Sequence, residues 1–123
     1  MSDLSRADAL IARYAAGERS FADLELDDQV YCFVGAQLAG ADFSRSFLLG
    51  DFRGANLAGA KFENANVKTC DFRGANLKGA SFAGAAIDEA EFSVDTLIGV
   101  SFAGATEQGH IHAENELPVR DAV

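Results

Sequence analysis

Between Gly50 and Ala105 the chain writes nearly the same segment three times at twenty-residue intervals. Gly50-Asp51-Phe52-Arg53-Gly54-Ala55-Asn56-Leu57 returns as Cys70-Asp71-Phe72-Arg73-Gly74-Ala75-Asn76-Leu77, and again, altered, as Ala90-Glu91-Phe92-Ser93-Val94-Asp95-Thr96-Leu97. Within each twenty runs a period of five, as in Ala55-Asn56-Leu57-Ala58-Gly59 and Ala75-Asn76-Leu77-Lys78-Gly79. A repeat of this length marks a solenoid-type chain, in which each unit buries its apolar face only against its neighbours.

With the places in each quintet numbered one to five, position three is Phe33, Leu38, Phe43, Leu48, Phe52, Leu57, Phe62, Val67, Phe72, Leu77, Phe82, Ile87, Phe92, Leu97 and Phe102, all large and apolar. Position one is usually alanine, as at Ala36, Ala41, Ala55, Ala60, Ala65, Ala75, Ala80, Ala85 and Ala90, and position five is often glycine. A strand repeats every 2 residues and a helix every 3.6, so a period of five fits neither. It fits a chain that turns a corner after each quintet, with positions one and three facing inward. Glycine suits the corners, and a small residue beside each large one lets the interior interdigitate. Twenty residues then make four corners, and stacking aligns Phe33/Phe52/Phe72/Phe92, Leu38/Leu57/Leu77/Leu97, Phe43/Phe62/Phe82/Phe102 and Leu48/Val67/Ile87. The step from Phe33 to Phe52 is nineteen, so one residue is missing near Ser46-Phe47-Leu48-Leu49, and either Phe47 or Leu48 points inward.

These quintets, running from about Tyr31 to Gly104, resemble the pentapeptide-repeat family with its Ala-(Asp/Asn)-Leu-x-x motif. The resemblance implies an all-β fold, a right-handed four-sided parallel β-helix of about four coils. The expected organisation is a capping helix and lead-in over 1–30, the β-helix over 31–104 and a C-terminal capping segment over 105–123.

At 123 residues the chain makes one domain. Cys32 and Cys70 fall on one side but two coils apart, roughly 10 Å at the usual strand spacing, too far to bridge. Cys32 is expected outward and Cys70, at position one, inward. Unbridged thiols favour a reducing compartment. With no positively charged start followed by an apolar run and no segment of membrane-spanning length, the expectation is a cytoplasmic protein that contacts no membrane. The net charge of −9 is concentrated at the ends: seven acids against three bases over 1–30 (net −4), eight against six over 31–104 (net −2), four against one over 105–123 (net −3).

Residues 3–16 read as an amphipathic helix, with Leu4, Ala7, Leu10, Ile11 and Tyr14 at helical spacing, Ser2 or Ser5 as its cap and Gly17 at its end. Its expected role is to cover the open end of the solenoid, with Phe21, Leu24 and Leu26 beneath the first coil. Asp23, Glu25, Asp27 and Asp28 read as a solvated loop. On one wall Asp51 beside Arg53, Asp71 beside Arg73, and Glu91 beside Ser93 stack into a charged column, either a surface ion-pair network or a docking strip. Gln37, Asn56, Asn76 and Thr96 form a polar row expected to bond as an amide ladder. Val94 and Ile98 are outward apolar residues of the last coil. Asp95 puts a carboxylate where a small inward residue belongs, either bonded to backbone amides or receiving a donor from the tail or a partner. After Gly104 the pattern stops, yet Ile111, Leu117, Pro118 and Val119 predict a tail folded over the last coil. His110, His112, Glu114 and Glu116 alternate, so an extended tail puts all four on one face; metal binding by His110 and His112 is a minor alternative to a solvated or pH-sensitive strand.

The residues form no catalytic constellation and no phosphate-binding loop, and no cofactor is expected. The reading is a non-enzymatic module presenting a rigid surface to a protein partner, with a homodimer through the C-terminal end and no direct nucleic-acid binding. The family resemblance also implies an alternative, an acidic mimic of duplex DNA that binds a type II topoisomerase and inhibits it or protects it from quinolones. About 3.7 coils at ~4.8 Å give a rod of only ~18 Å, equal to about five base pairs of duplex. Arg53, Lys61, Lys68, Arg73 and Lys78 further interrupt any polyanionic face.

Overall fold

In the computed structural model, which describes residues 6–114 and 116–118, backbone pairing joins residues about twenty apart in parallel. The bridges fall into rows: Asp51, Asp71 and Glu91; Gln37, Asn56 and Asn76; Ser20, Asp42, Lys61, Ser81 and Ser101; Phe47, Asn66, Ala86 and Thr106. Each row is a short ladder in which position two of one quintet meets position two of the quintet one coil further on. The chain therefore winds as a β-helix, with corners between the rows.

Few residues form continuous strands because a corner follows each bridge. The longer pieces are β1 (Glu25–Cys32) and β2 (Phe47–Asp51), paired in parallel; the short pair β3 (Thr106–Glu107) and β4 (His110–Ile111) is antiparallel. Register slips between Leu26 and Tyr31, so the acidic stretch through Asp27 and Asp28 bulges from the wall. The sequence missing near Ser46 is resolved at the same place: Leu48 is buried, whereas Phe47 points outward and is 48% exposed.

Inside, Phe33, Leu38, Phe43, Phe52, Leu57, Phe62, Val67, Phe72, Leu77, Phe82, Ile87, Leu97 and Phe102 are buried, and Phe92 is only half-buried. The phenylalanines form two interlocked columns. Phe33, Phe52, Phe72 and Phe92 stack near-parallel at 4.8, 5.0 and 5.3 Å between centroids. Phe43, Phe62, Phe82 and Phe102 stack at 5.2, 4.8 and 5.1 Å. The columns meet edge to face, as Phe62 does with Phe72 at 5.4 Å and 75°. Both geometries are favoured by the ring quadrupole and add to the area term. Cys70 is sealed in this interior, its Sγ 3.3 Å from both the Gly50 N–H and the Leu48 carbonyl; burial pushes its thiol up to about 12. Cys32 is exposed, and both cysteines are free.

Position five adopts positive φ at most corners, and not only where glycine stands: Gly54 and Gly74 lie at 69° and 74°, but also Arg45, Asn64, Thr69 and Glu89 at 59° to 63°. A β-branched residue is strained there, although the Thr69 hydroxyl donates to the Lys68 carbonyl at 2.5 Å. Thr69→Gly is expected to raise stability by about 1 kcal/mol, the left-handed penalty of ~1–2 kcal/mol less the flexibility of glycine. Urea unfolding measures it; a fall in stability would show that the hydroxyl outweighs the strain.

Pairing begins at Ser20, earlier than the repeat is legible, and Phe21 stacks on Phe43 at 5.7 Å. The helix α1 (Arg6–Ala15) buries Ala7 and Leu10. The Tyr14 hydroxyl donates to the Ala39 carbonyl at 2.6 Å, and Arg13 lies over the Phe21 ring at 5.1 Å. Gly17, at φ 108°, follows the helix; the expected caps Ser2 and Ser5 lie outside the described residues. At the other end Ala86 still pairs with Thr106, so the ladder runs past Gly104. There Ala105, His112 and Pro118 are buried, and Leu117 packs on the core; Val119 lies outside the described residues.

Candidate interaction surface

The polar residue at position two bonds its own corner. The Arg53 N–H donates to Asp51 Oδ1 at 3.2 Å, the Arg73 N–H to Asp71 Oδ1 at 3.0 Å, and the Ala58 and Lys78 N–H groups to Asn56 and Asn76 Oδ1 at 3.2 and 3.1 Å. Such Asx turns are the physical reason for Asp and Asn at this place. They also correct the expected amide ladder. Asn56 donates to Gln37 Oε1 at 3.1 Å, but the Oδ1 atoms of Asn56 and Asn76 are taken by their own turns.

On the wall before it, Arg53 grips Asp51 at 2.9 and 2.8 Å, and Arg73 grips Asp71 at 2.9 and 2.7 Å. Longer contacts tie Arg53 to Asp71 at 3.8 Å and Arg73 to Glu91 at 3.4 Å, so the charges alternate along one continuous column. The arginine hydrogen bonds hold both aspartate carboxyls below the usual range, and the aspartates raise both guanidinium groups. A depressed carboxyl contributes stability that is fully present above its unfolded value, about 3.9, and is lost as pH falls through the folded value. The urea midpoint is therefore expected to hold from pH 7 to about 5 and to fall below about 4. Asp71→Asn keeps the Asx turn, as Asn76 shows, and should flatten that fall; an unchanged acid slope would remove the column from the account.

The regular wall stops one row further on. Val94–Thr96 forms a 3-10 turn in place of a corner, and Asn76 has no bridge to Thr96. The Thr96 N–H turns back to the Ser93 carbonyl at 2.9 Å, and Ser93 Oγ accepts from the Gly74 N–H at 2.9 Å. Asp95, expected inward, is exposed. The correction has a simple cause: where a buried alanine stands at Ala75, a carboxylate would lose its hydration. The break also leaves Phe92 half-buried.

In the lower coils the Leu57 and Gly59 N–H groups donate to the Asn76 and Lys78 carbonyls, both at 2.8 Å. The equivalent N–H groups of Leu77 and Gly79 meet no acceptor among the described residues. Between Gly74–Lys78 below and Asp95, Thr96 and Ile98 above lies an open cleft of about 540 Å³. Lys78 and Asp95 flank it, and Ile98 on its rim is 81% exposed, Val94 59%. The backbone donors were missed in the sequence; the signal for them was the joint loss of glycine at position five and of a small residue at position one.

At the C-terminal end, His110 Nε2 lies 2.6 Å from Glu116 Oε2, and His112 is buried beside it. The Ala113 N–H, first, and His110 hold the Glu116 carboxyl below its usual range. Glu114, expected on the same face, is exposed and stands apart from this group.

A β-helix of stacked quintets with a polar, interrupted wall defines a repeat scaffold. A profile for pentapeptide repeats matches residues 32–74 and 51–85, with eight copies of the repeat. Residues 32–85 are pentapeptide repeats, and repeats of this family imply a right-handed β-helix. It is similar to alr5209, a pentapeptide repeat protein from Nostoc Pcc 7120, at 26% identity over 88% of this chain and 85% of that one, with a TM-score of 0.41. It is similar to AT2G44920, a pentapeptide repeat protein from the Arabidopsis thaliana thylakoid lumen, at 26% identity over 81% and 70%, TM-score 0.32. Likeness to QnrB1, a plasmid-mediated fluoroquinolone resistance protein, is 19% identity over 75% and 69%, TM-score 0.28. Comparison with curated proteins returns no match.

Proposed function

We propose that this chain is a non-enzymatic, cytoplasmic interaction module: a four-sided β-helix of about four coils, capped by α1, that binds an extended segment of a partner protein in the cleft above Asn76. The observation that carries this is the interrupted ladder: the Leu77 and Gly79 N–H groups meet no acceptor among the described residues, and Leu77 lines an open cleft. Every complete row pairs such groups with a parallel strand, so the occupant is a strand, added by backbone hydrogen bonds as in β-augmentation. One residue of it pairs with Asn76, between the Ala75 carbonyl and the Leu77 N–H. Its carbonyl two residues on takes the Gly79 N–H. An acidic side chain suits the Lys78 lip, a basic one the Asp95 lip, and an apolar one Ile98.

The test places a photo-crosslinker at position 98 and follows one crosslinked partner. Its capture is expected to fall at least tenfold in Val94→Gly/Asp95→Ala, which closes the cleft. Equal capture by that variant overturns the reading. Duplex mimicry stands lower, because Arg53 and Arg73 alternate with the acids along the adjoining wall. A homodimer through the C-terminal end stands lower too, since β3, β4 and Leu117 already occupy that end.

A further inference from the structure

We propose that the C-terminal hairpin carries a divalent-cation site of the zinc type, with His110, His112 and Glu116 as ligands and Glu107 behind them. The hairpin turns at Gln108 and Gly109, both at positive φ (50° and 86°), and sets Glu107 opposite His110. Pairing continues past it: the His112 N–H donates to the Ala105 carbonyl at 2.8 Å and the Gly104 N–H to the His112 carbonyl at 2.9 Å. His110 and His112 therefore share one face of an extended strand, their ring centroids 5.0 Å apart.

His112 is the unusual member. Its side chain is 4% exposed and lies against Phe102. Both ring nitrogens are buried, and neither has a hydrogen-bond partner. Nδ1 faces Glu116 Oε2 at 3.8 Å and Nε2 faces Glu107 Oε1 at 3.4 Å. A neutral imidazole has one N–H, so whichever nitrogen lacks it points a lone pair at a carboxylate. Two acceptors facing each other across a buried gap call for a cation between them.

The neighbouring groups favour a metal ion over a proton. His110 Nε2 converges on the same Glu116 oxygen, and one ligand atom from each of the three residues lies within 4.8 Å of the others. Glu116 is already oriented, because the Ala113 N–H holds Oε1 at 3.0 Å and leaves Oε2 for the rings. Zinc ligands at ~2.0–2.1 Å in a tetrahedron stand about 3.3 Å apart. The 2.6 Å contact must open and the longest separation close, which side-chain rotations of exposed His110 and half-buried Glu116 supply. With Nδ1 of His112 on the metal, its Nε2–H donates to Glu107. That is the carboxylate–histidine–metal arrangement that fixes a ligand's tautomer. Two imidazoles and one carboxylate select Zn²⁺ or Co²⁺ over Mg²⁺ or Ca²⁺, and solvent takes the fourth position. Occupancy would fasten the tail to the last coil.

The test uses the full chain with Cys32→Ser, so that the exposed thiol cannot bind metal, stripped by a chelator and titrated with ZnCl2 and CoCl2. One equivalent of Zn²⁺ is expected to bind, raising the unfolding temperature, while Mg²⁺ does neither; Co²⁺ should give the intense visible bands of a four-coordinate site. His110→Ala and Glu116→Gln, both at accessible positions, should weaken binding at least tenfold with the apo protein still folded, and Glu107→Gln ~10–100-fold. Absence of stoichiometric Zn²⁺ binding at tens of micromolar, or binding unchanged in His110→Ala and Glu116→Gln, overturns the proposal.

Discussion

Phe72→Ala is expected to lower stability by about 3–5 kcal/mol, near the top of the range for core truncations. The ring is fully buried, stacked on Phe52 and Phe92 at 5.0 and 5.3 Å and met edge-on by Phe62 and Phe82 at 5.4 and 5.2 Å. The cost of a cavity depends on how far its walls collapse, and here they are held apart. The Asp71 N–H is bonded to the Gly50 carbonyl at 3.0 Å and the Phe72 N–H to the Glu91 carbonyl at 2.8 Å, so the backbone ladder fixes the spacing above and below. Phe92→Ala, at the half-buried end of the same column, should cost less than half as much. Denaturant unfolding of both variants measures the order. The reverse order would mean that the column is not continuous.

Val94→Gly/Asp95→Ala is expected to stabilise the protein by about 2–4 kcal/mol while lowering partner capture at least tenfold. It gives the upper coil the residue types of Gly74-Ala75, where Gly74 sits at φ 74° and Ala75 is fully buried. Neither native residue suits those places. Val94 is β-branched and has no hydroxyl to offset a left-handed corner as Thr69 does; Asp95 would bury a carboxylate. With both replaced, Thr96 can pair with Asn76, adding about three backbone hydrogen bonds at ~0.5–1.5 kcal/mol each, and Phe92 is covered. Hydrogen exchange at the Leu77 and Gly79 amides should slow at least tenfold, and the urea midpoint should rise. Fast exchange at both amides in the variant would show that the break has another cause. A natural sequence that gives up this stability at one row does so where the proposed partner strand enters, in keeping with the trade between stability and function at binding sites.

The histidine cluster shows how far alternation in a sequence reaches. Spacing places His110 and His112 on one face, but it takes the hairpin turn at Gln108-Gly109 to bring Glu107 opposite, and the following turn to return Glu116 and leave Glu114 aside. The burial of His112 against Phe102 depends on where the tail lands, which no local pattern encodes.

From its sequence alone this chain had to be a stacked coil with aromatic and aliphatic residues sorted by wall, because a five-residue period with small and large inward places has no other consistent packing. Part of the weak point was visible as well, as Asp95 stands where a small inward residue belongs. What only the tertiary structure decided is how the breaks resolve: that Asp95 swings out and opens a cleft, that Leu48 and not Phe47 turns inward, that pairing starts at Ser20 and runs on to Thr106, and that a buried imidazole faces two carboxylates. Repetition is a local property repeated, so it can be read residue by residue. An interruption is settled by whichever distant groups are left to satisfy one another, and those are known only once the chain has closed on itself.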